Sequence, residues 1–372
     1  MLLFCSACSD SDIGPNPSRQ AKRQVTLTFS PGHARTSADE TCIDDINLYL
    51  FPTSGGPARH LYLSSQRCVV LELPEGDYAL YAVANAGADM GGQTQEYVRS
   101  LRFDRDPDAL ADGPLPMSVE QTVSVRGDMH IDVTLVRAVA KIEFSCTVAA
   151  EFAPELEIKS VRICNAPCSV SLFAPSRATT SGDVADTTPD AAPGQTFSAS
   201  YYLLENRQGT VAGIGSQDGK NQSVAPEEAT YIYIEGEADG VKVAYRIYPG
   251  ENNTTDFNIV RNRVYNIDAR ILGMNTVDWR VSTAEVAVTP FAERYAPGAS
   301  AAATLELVST NDAHNEFYLT YLLDAGQGTV AIDGERRTEG TPYPLLSGSG
   351  TATAGIAYTQ DTPGDVRLRL IV

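Results

Sequence analysis

The chain has 372 residues, 43% of them hydrophobic, which is enough for two or three packed domains and too apolar for wholesale disorder. Its 47 acidic residues outnumber 28 Lys and Arg, and the net charge of -19 repels nucleic acid and anionic membrane surfaces. No apolar run reaches the roughly 18–20 residues of a membrane span; Val, Thr, Tyr, Gly and Pro abound while helix-forming windows are scarce, so an all-β protein is expected.

Period-two patterning begins at Arg23, where RQVTLTFSPG alternates Val25, Leu27 and Phe29 with threonines, as a half-buried strand does. CIDDINLYLFP reads as the next strand. RCVVLELPEGDYALYAVANA reads as two strands joined at Pro74-Glu75-Gly76-Asp77. HIDVTLVRAVAKIEFSCTV alternates through Ile131, Val133 and Leu135 and then changes phase at Arg137, so that Ala140, Ile142, Phe144 and Cys146 share a face. That phase change is taken as a domain boundary.

ELEIKSVRICNAP reads as a strand ended by Pro167, and the following SRATTSGDVADTTPDAAPGQTFSAS as a polar, low-complexity loop. FSASYYLLENRQG, ATYIYIEGEADGVKVAYRIYPG and FNIVRNRVYNIDARILG supply further strands, with a tight hairpin at Asp239-Gly240. Beyond Asp278-Trp279, the segments AEVAVTPF, AAATLELVS, EFYLTYLLDAGQGTVAIDG, TATAGIAYTQ and DVRLRLIV have the rhythm of an immunoglobulin-like sandwich. The chain stops at Val372 inside a strand pattern, which reads as a truncated domain. The expected division is 1–23 partial signal and tether, 24–138 and 139–280 two sandwiches, and 281–372 an incomplete immunoglobulin-like domain.

No catalytic constellation emerges. His33, His60, His130 and His314 fall in no paired-ligand spacing. There is no G-x-S-x-G elbow or phosphate-binding glycine loop, and no glycosidase pair stands out among 47 carboxylates. Cys164 and Cys168 have C-x3-C spacing without a nearby His or second pair, which fits buried apolar residues or one incidental bridge better than zinc. Asp239 and its neighbours lack the spacing of a calcium loop and read as turn formers. The tyrosines of ATYIYIEG alternate as core residues do, with a sugar platform as the alternative. The expectation is a non-enzymatic chain with no catalytic residue, no cofactor and no metal.

At the N-terminus, LLFCSA precedes Cys8, with the small residues Ser6 and Ala7 just before it. This resembles the end of a bacterial lipoprotein signal, whose cysteine is acylated and becomes the mature N-terminus. Cys5 stands where leucine is usual and the basic leader is missing. The resemblance implies a lipid anchor on Cys8, and the polar SDSDIGPNPSRQAKR that follows suits a tether.

Four elements stand in chain order: LVRAVAKIEF at 135–144, SVRICNAP at 160–167, YYLLENRQG at 201–209 and YRIYPGENNTTDFNIVRNRVYNI at 245–267. Over roughly residues 24–280 they resemble the fimbrillin-like superfamily of Bacteroidales type V pili, in its adhesin-like lipoprotein branch. The resemblance implies tandem transthyretin-like β-sandwiches exported to the outer membrane, and a location in the fimbrium at the cell surface. It further implies that in stalk subunits an Arg-specific protease removes the first strand and a donor strand from a neighbouring subunit then fills the groove. The third domain of this chain departs from that pattern and favours an anchor, accessory or tip role over a repeating stalk.

Arg35, in the loop PGHARTSAD, is the candidate processing site that would free the strand. Arg23, just ahead of QVTLTF, is the alternative that would not. Arg261 and Asn262 read as a structural loop-to-strand signature, with Asn262 suited to left-handed backbone and Arg261 to loop carbonyls. Thr187, in Asp186-Thr187-Thr188, resembles the O-glycosylation motif of exported proteins from this phylum, in a loop expected to be accessible. The N-x-[ST] sequons at Asn221, Asn252 and Asn253 carry no such inference.

The expected function is a pilus accessory, tip or anchor lipoprotein that partners other subunits, host or bacterial surface ligands and the outer membrane, but not nucleic acid. The alternative is a glycan-binding surface lipoprotein working with polysaccharide uptake; the single Trp279 argues against it.

Overall fold

Alternating apolar residues become strand after strand, and the chain is all-β apart from short helical turns. The computed structural model describes residues 22–32, 42–273, 276–288, 300–309, 316–347, 350–360 and 367–372. Its strands fall into three groups, each around its own apolar core.

The first group holds β1 (Lys22–Pro31), β2 (Asp45–Pro52), β3 (Arg59–Ser64), β4 (Cys68–Pro74) and β5 (Gly76–Ala84). A five-residue helix, α1 (Gln95–Arg99), and β6 (Arg102–Asp104) lead to β7 (Met117–Val125) and β8 (Met129–Arg137). Hydrogen bonding runs β3-β2-β5-β7-β8-β1-β4. β8 meets β7 only at Val136 and Arg137 and gives Met129–Leu135 to β1. The sheet therefore folds over at β8 into two layers, β4-β1-β8 and β7-β5-β2-β3. Val25, Leu27 and Phe29 from one layer meet Ile46, Leu48, Leu50, Leu80 and Ala82 from the other.

The second layer is buried on both faces, which explains why almost every residue of β2 is inaccessible. Its outer face, with Tyr49, Tyr81 and Val83, packs on Val98 and Leu110 and on Val139, Val170 and Leu204 of the second group.

That second group begins with β9 (Val139–Val148), β10 (Leu156–Cys164), β11 (Ala166–Pro167), β12 (Ser169–Ser171) and β13 (Val184–Ala185). It continues with β14 (Asp190–Gly194), β15 (Thr196–Leu204), β16 (Asn206–Thr210), β17 (Tyr231–Ala238), β18 (Val241–Ile247), β19 (Asp256–Ile259) and β20 (Val264–Gly273). One layer is β14-β10-β17-β18; the other is β15-β9-β20-β21, where β21 spans Thr276–Val288. β21 pairs with β20 up to Thr283 and from Ala284 onward with β22 (Ser300–Ser309).

The third group adds β23 (Glu316–Ala325), β24 (Gly328–Ile332), β25 (Glu335–Arg336), β26 (Tyr343–Ser347), β27 (Gly350–Gln360) and β28 (Arg367–Ile371). β22, β27, β24 and β25 continue from β21, opposite the sheet β26-β23-β28.

Several expectations are met in detail. Asp239 and Gly240 both adopt positive φ (49° and 79°) in a two-residue turn that pairs Ala238 with Val241. β4 and β5 are consecutive strands as expected, but the turn between them is Glu75 alone and they pair with different strands in different layers, not with each other.

Others are corrected. The polar stretch from Ser176 to Ser200 is not a loop: it contains β13, β14 and the start of β15, because its small residues edge sheets whose apolar faces come from β9, β10 and β11. Tyr231 and Tyr233 leave the sandwich core to Ile232 and Ile234; they are half-buried on the other face, where Tyr231 packs on a small cluster of Ala229, Tyr248 and Phe257. Arg246 stacks over both rings, at 5.4 and 5.6 Å, and Arg162 over Tyr233 at 4.9 Å.

Candidate functional site

The site follows from where β1 lies. It is the middle strand of its layer, antiparallel to β4 (Lys22 to Thr28 against Pro74 to Cys68) and parallel to β8 (Val25 to Pro31 against Met129 to Leu135). Val25, Leu27 and Phe29 are 0%, 1% and 1% exposed. Burying three such side chains is worth roughly 5–9 kcal/mol at 1.5–3 kcal/mol each. Without β1, β4 and β8 would face each other across an apolar trough with two unpaired backbone edges. A second extended strand is the chemical object that fits such a trough, since it satisfies both edges and supplies alternate apolar side chains.

Both ends of β1 are fastened. At the start, Arg23 reaches Glu75 with Nε at 2.7 Å and Nη2 at 2.6 Å, and the Gln24 amide donates to Asp128 Oδ1 at 2.9 Å. At the far end the Gly32 amide donates to the Leu135 carbonyl at 2.5 Å. Arg137 Nη1 donates to the Gly32 carbonyl at 2.8 Å and to Asn262 Oδ1 at 3.0 Å. Asn262 comes from the turn before β20; its φ is +60° and its amide donates to the Val139 carbonyl at 2.7 Å. The second sandwich therefore reaches the end of β1.

Next to Asn262, Arg261 closes the same junction. Its guanidinium donates to the carbonyls of Ser171 (2.8 Å), Leu172 (3.2 Å) and Ala174 (2.9 Å), and to Glu205 Oε2 from Nε (2.9 Å) and Nη2 (2.6 Å). Glu205 is fully buried and also accepts from Arg207 Nε (2.8 Å) and the Ser176 amide (2.9 Å). Burial opposes its ionisation, but the hydrogen bond and charge of Arg261, then Arg207 and Ser176, outweigh burial and hold the carboxyl below its usual range. The left-handed Asn262 and the carbonyl-binding Arg261 match the sequence expectation. Glu205 was missed, although a carboxylate inside the apolar run YYLLEN is itself a sign of a paired buried charge.

Cys8 and Arg35 lie outside the described residues. Arg23 lies within β1 and not ahead of it: it is paired with Leu73 and its side chain is bound to Glu75, so the bond after it is held inside a sheet. Thr187 is likewise not on an accessible loop. It is buried, its amide donates to the Ile163 carbonyl, and its Oγ1 accepts from the Ile163 amide, both at 2.9 Å, because the segment runs beside the end of β10. Thr188 beside it is exposed and bonded to Asp108. Cys164 is a buried free thiol, pushed up by burial, and Cys168 is free and partly buried.

A family model described as a domain of unknown function, DUF4906, matches residues 201–269, which include Glu205, Arg261 and Asn262. No curated protein matches the chain. Among solved structures, a Bacteroides eggerthii protein proposed to act in cell adhesion is similar at TM-score 0.50 and 15% identity, over 72% of this chain and 97% of its own. The tip fimbrial protein Mfa3 of Porphyromonas gingivalis, with a C-terminal truncation, is similar at TM-score 0.50 and 16% identity, over 70% of this chain and 99% of its own. Fimbrilin FimA of Porphyromonas gingivalis is similar at TM-score 0.46 and 17% identity, over 70% of this chain and 97% of its own. The first two likenesses establish a shared fold, and more than a quarter of this chain lies outside each.

Proposed function

We propose that this chain is a non-catalytic, surface-exposed subunit of a fimbrial, adhesive assembly, and that the slot filled by β1 receives a strand from another subunit. One observation carries the reading: β1, the first strand among the described residues, is the middle strand of its layer and is joined to the next described strand through residues 32–44. A cut in that connection would leave β1 held by non-covalent contacts alone. The fold shared with a tip fimbrial protein and with a protein assigned to cell adhesion supports the same role. On this reading Cys8 carries a lipid that holds the unprocessed chain in the outer membrane, cleavage after Arg35 separates that anchor from the rest, and the units 24–138, 139–280 and 281–372 form a rod. The chain serves as a tip, accessory or anchor component.

The test is to shear filaments from cells making the full-length protein, blot both fractions and determine the N-terminal peptide by mass spectrometry. Chain in the filament fraction, beginning at Thr36, is the expected result. A chain confined to the membrane fraction, with β1 still attached and no fimbrial subunit co-purifying, contradicts it.

A further inference from the structure

The far end of the β1 slot has a chemistry that the trough alone does not. A Cβ at Gly32 would lie 2.9 Å from the Leu135 carbonyl oxygen and 3.4 Å from Asn262 Nδ2. The first of these is backbone in a sheet and has no room to move. The Gly32 carbonyl meets Arg137, which is 3% exposed and cannot shed its charge. An occupant that failed to present a carbonyl there would deprive a buried cation of one of its acceptors. Asn262, held by the Val139 carbonyl in its left-handed turn, backs the guanidinium from the second sandwich.

We propose that this clasp selects the strand that enters the slot. The entering segment carries three apolar side chains at alternate positions and a glycine three residues after the last, whose carbonyl Arg137 receives. β1 itself reads Val25-Thr26-Leu27-Thr28-Phe29-Ser30-Pro31-Gly32. The partner is thus an extended segment of another subunit with the pattern apolar-x-apolar-x-apolar-x-x-Gly. Arg137 and Asn262 are positioning residues, and the second sandwich takes part in reading a strand bound by the first. The inference rests on the strand-exchange reading of the slot.

The test uses the full chain with a protease recognition site placed between residues 32 and 42 and cut after folding. Fluorescent peptides spanning residues 22–34 then compete for the slot: the native sequence, a Gly32→Val version and a Leu27→Asp version. The native peptide is expected to enter at least tenfold more tightly than Gly32→Val, and Leu27→Asp to be excluded. In an Asn262→Ala host the Gly32→Val peptide gains and the ratio shrinks. In an Arg137→Met host the native peptide weakens while the Gly32→Val peptide, whose carbonyl is displaced, does not.

A merely structural role for either residue would weaken both peptides by the same factor. Equal entry of the native and Gly32→Val peptides, with Leu27→Asp still excluded, overturns the clasp and leaves strand exchange standing. Failure of the native peptide to enter overturns both. Should the Arg137→Met host fail to fold, the comparison of peptides in the unaltered host decides the matter.

Discussion

The first and second sandwiches place their opening strands alike. β1 lies parallel to β8, the last strand of its unit, and antiparallel to β4; β9 lies parallel to β20, which β21 follows in the same layer, and antiparallel to β15. Each buries an alternating row, Val25, Leu27 and Phe29 in one and Ala140, Ile142, Phe144 and Cys146 in the other. What differs is the chain around them. β9 follows β8 after a single residue, Ala138, which is itself fully buried, so β9 has no accessible leading connection. β1 is followed by the connection 32–44 and held at its ends by side-chain clasps. Topology makes both strands central, and connectivity separates them: the strand exchange proposed above concerns β1 alone.

The strongest way to break this comparison is to weaken both rows. Phe29→Ala and Phe144→Ala should each cost about 3–5 kcal/mol in chemical denaturation. Only Phe29→Ala should also speed loss of the strand once the 33–41 segment is cut. Equal strand loss from both variants would mean that connectivity is not what separates them.

Glu205→Ala should cost about 3–5 kcal/mol, since it takes the counter-charge from the mostly buried Arg261 and leaves that guanidinium only backbone carbonyls. Hydrogen exchange should then rise at Gly32 and Asn262 before it rises at Gln24. Because the folded Glu205 carboxyl is held below its unfolded value, its contribution is present above about pH 4.5 and is lost as pH falls through the folded value. A Glu205→Ala variant should therefore show a flatter acid limb in a pH-denaturation series.

Lys220 sharpens the comparison from the second sandwich. It is buried, its Nζ donates to the Asn252 carbonyl at 2.8 Å, and burial, partly offset by Asp256, pushes the ammonium down to about 7. Between about 7 and the unfolded value near 10.5 the unfolded chain holds more protons, so stability should rise with pH by roughly 1.4 kcal/mol per unit at most. Below about pH 7 this group adds no slope. Lys220→Met should remove the rise, and a slope that survives the substitution would assign it to another group. The smallest effect is expected at Arg23→Ala: its partly exposed ion pair with Glu75 is worth roughly 0–1 kcal/mol, so a thermal melt should barely move.

Strand existence was legible wherever alternation was strict, as in VTLTF, IDVTL and the Asp239-Gly240 hairpin, because period two and turn chemistry are local. The stretch 176–200 was misread because its strands carry Ser, Thr, Ala and Asp, and their apolar complement lies in distant strands. Tyr231 and Tyr233 were misplaced by one position of register: in YIYI both residue types are apolar enough to take the inside, and packing against β10 chose the isoleucines. The clasp around Gly32 was out of reach, since Arg137 and Asn262 are 125 residues apart and only the fold brings them together. Each was visible singly, Arg137 as a phase break and Asn262 as a left-handed turn residue.

The central claim is that β1 must leave for this subunit to assemble. Ser30 and Thr134 are register partners on β1 and β8, so Ser30→Cys with Thr134→Cys offers a disulfide that locks β1 in place. The measurement is filament incorporation of the locked full-length protein with and without reductant. The account predicts no incorporation when oxidised and recovery when reduced; incorporation equal to the unaltered protein while the lock is closed would contradict it.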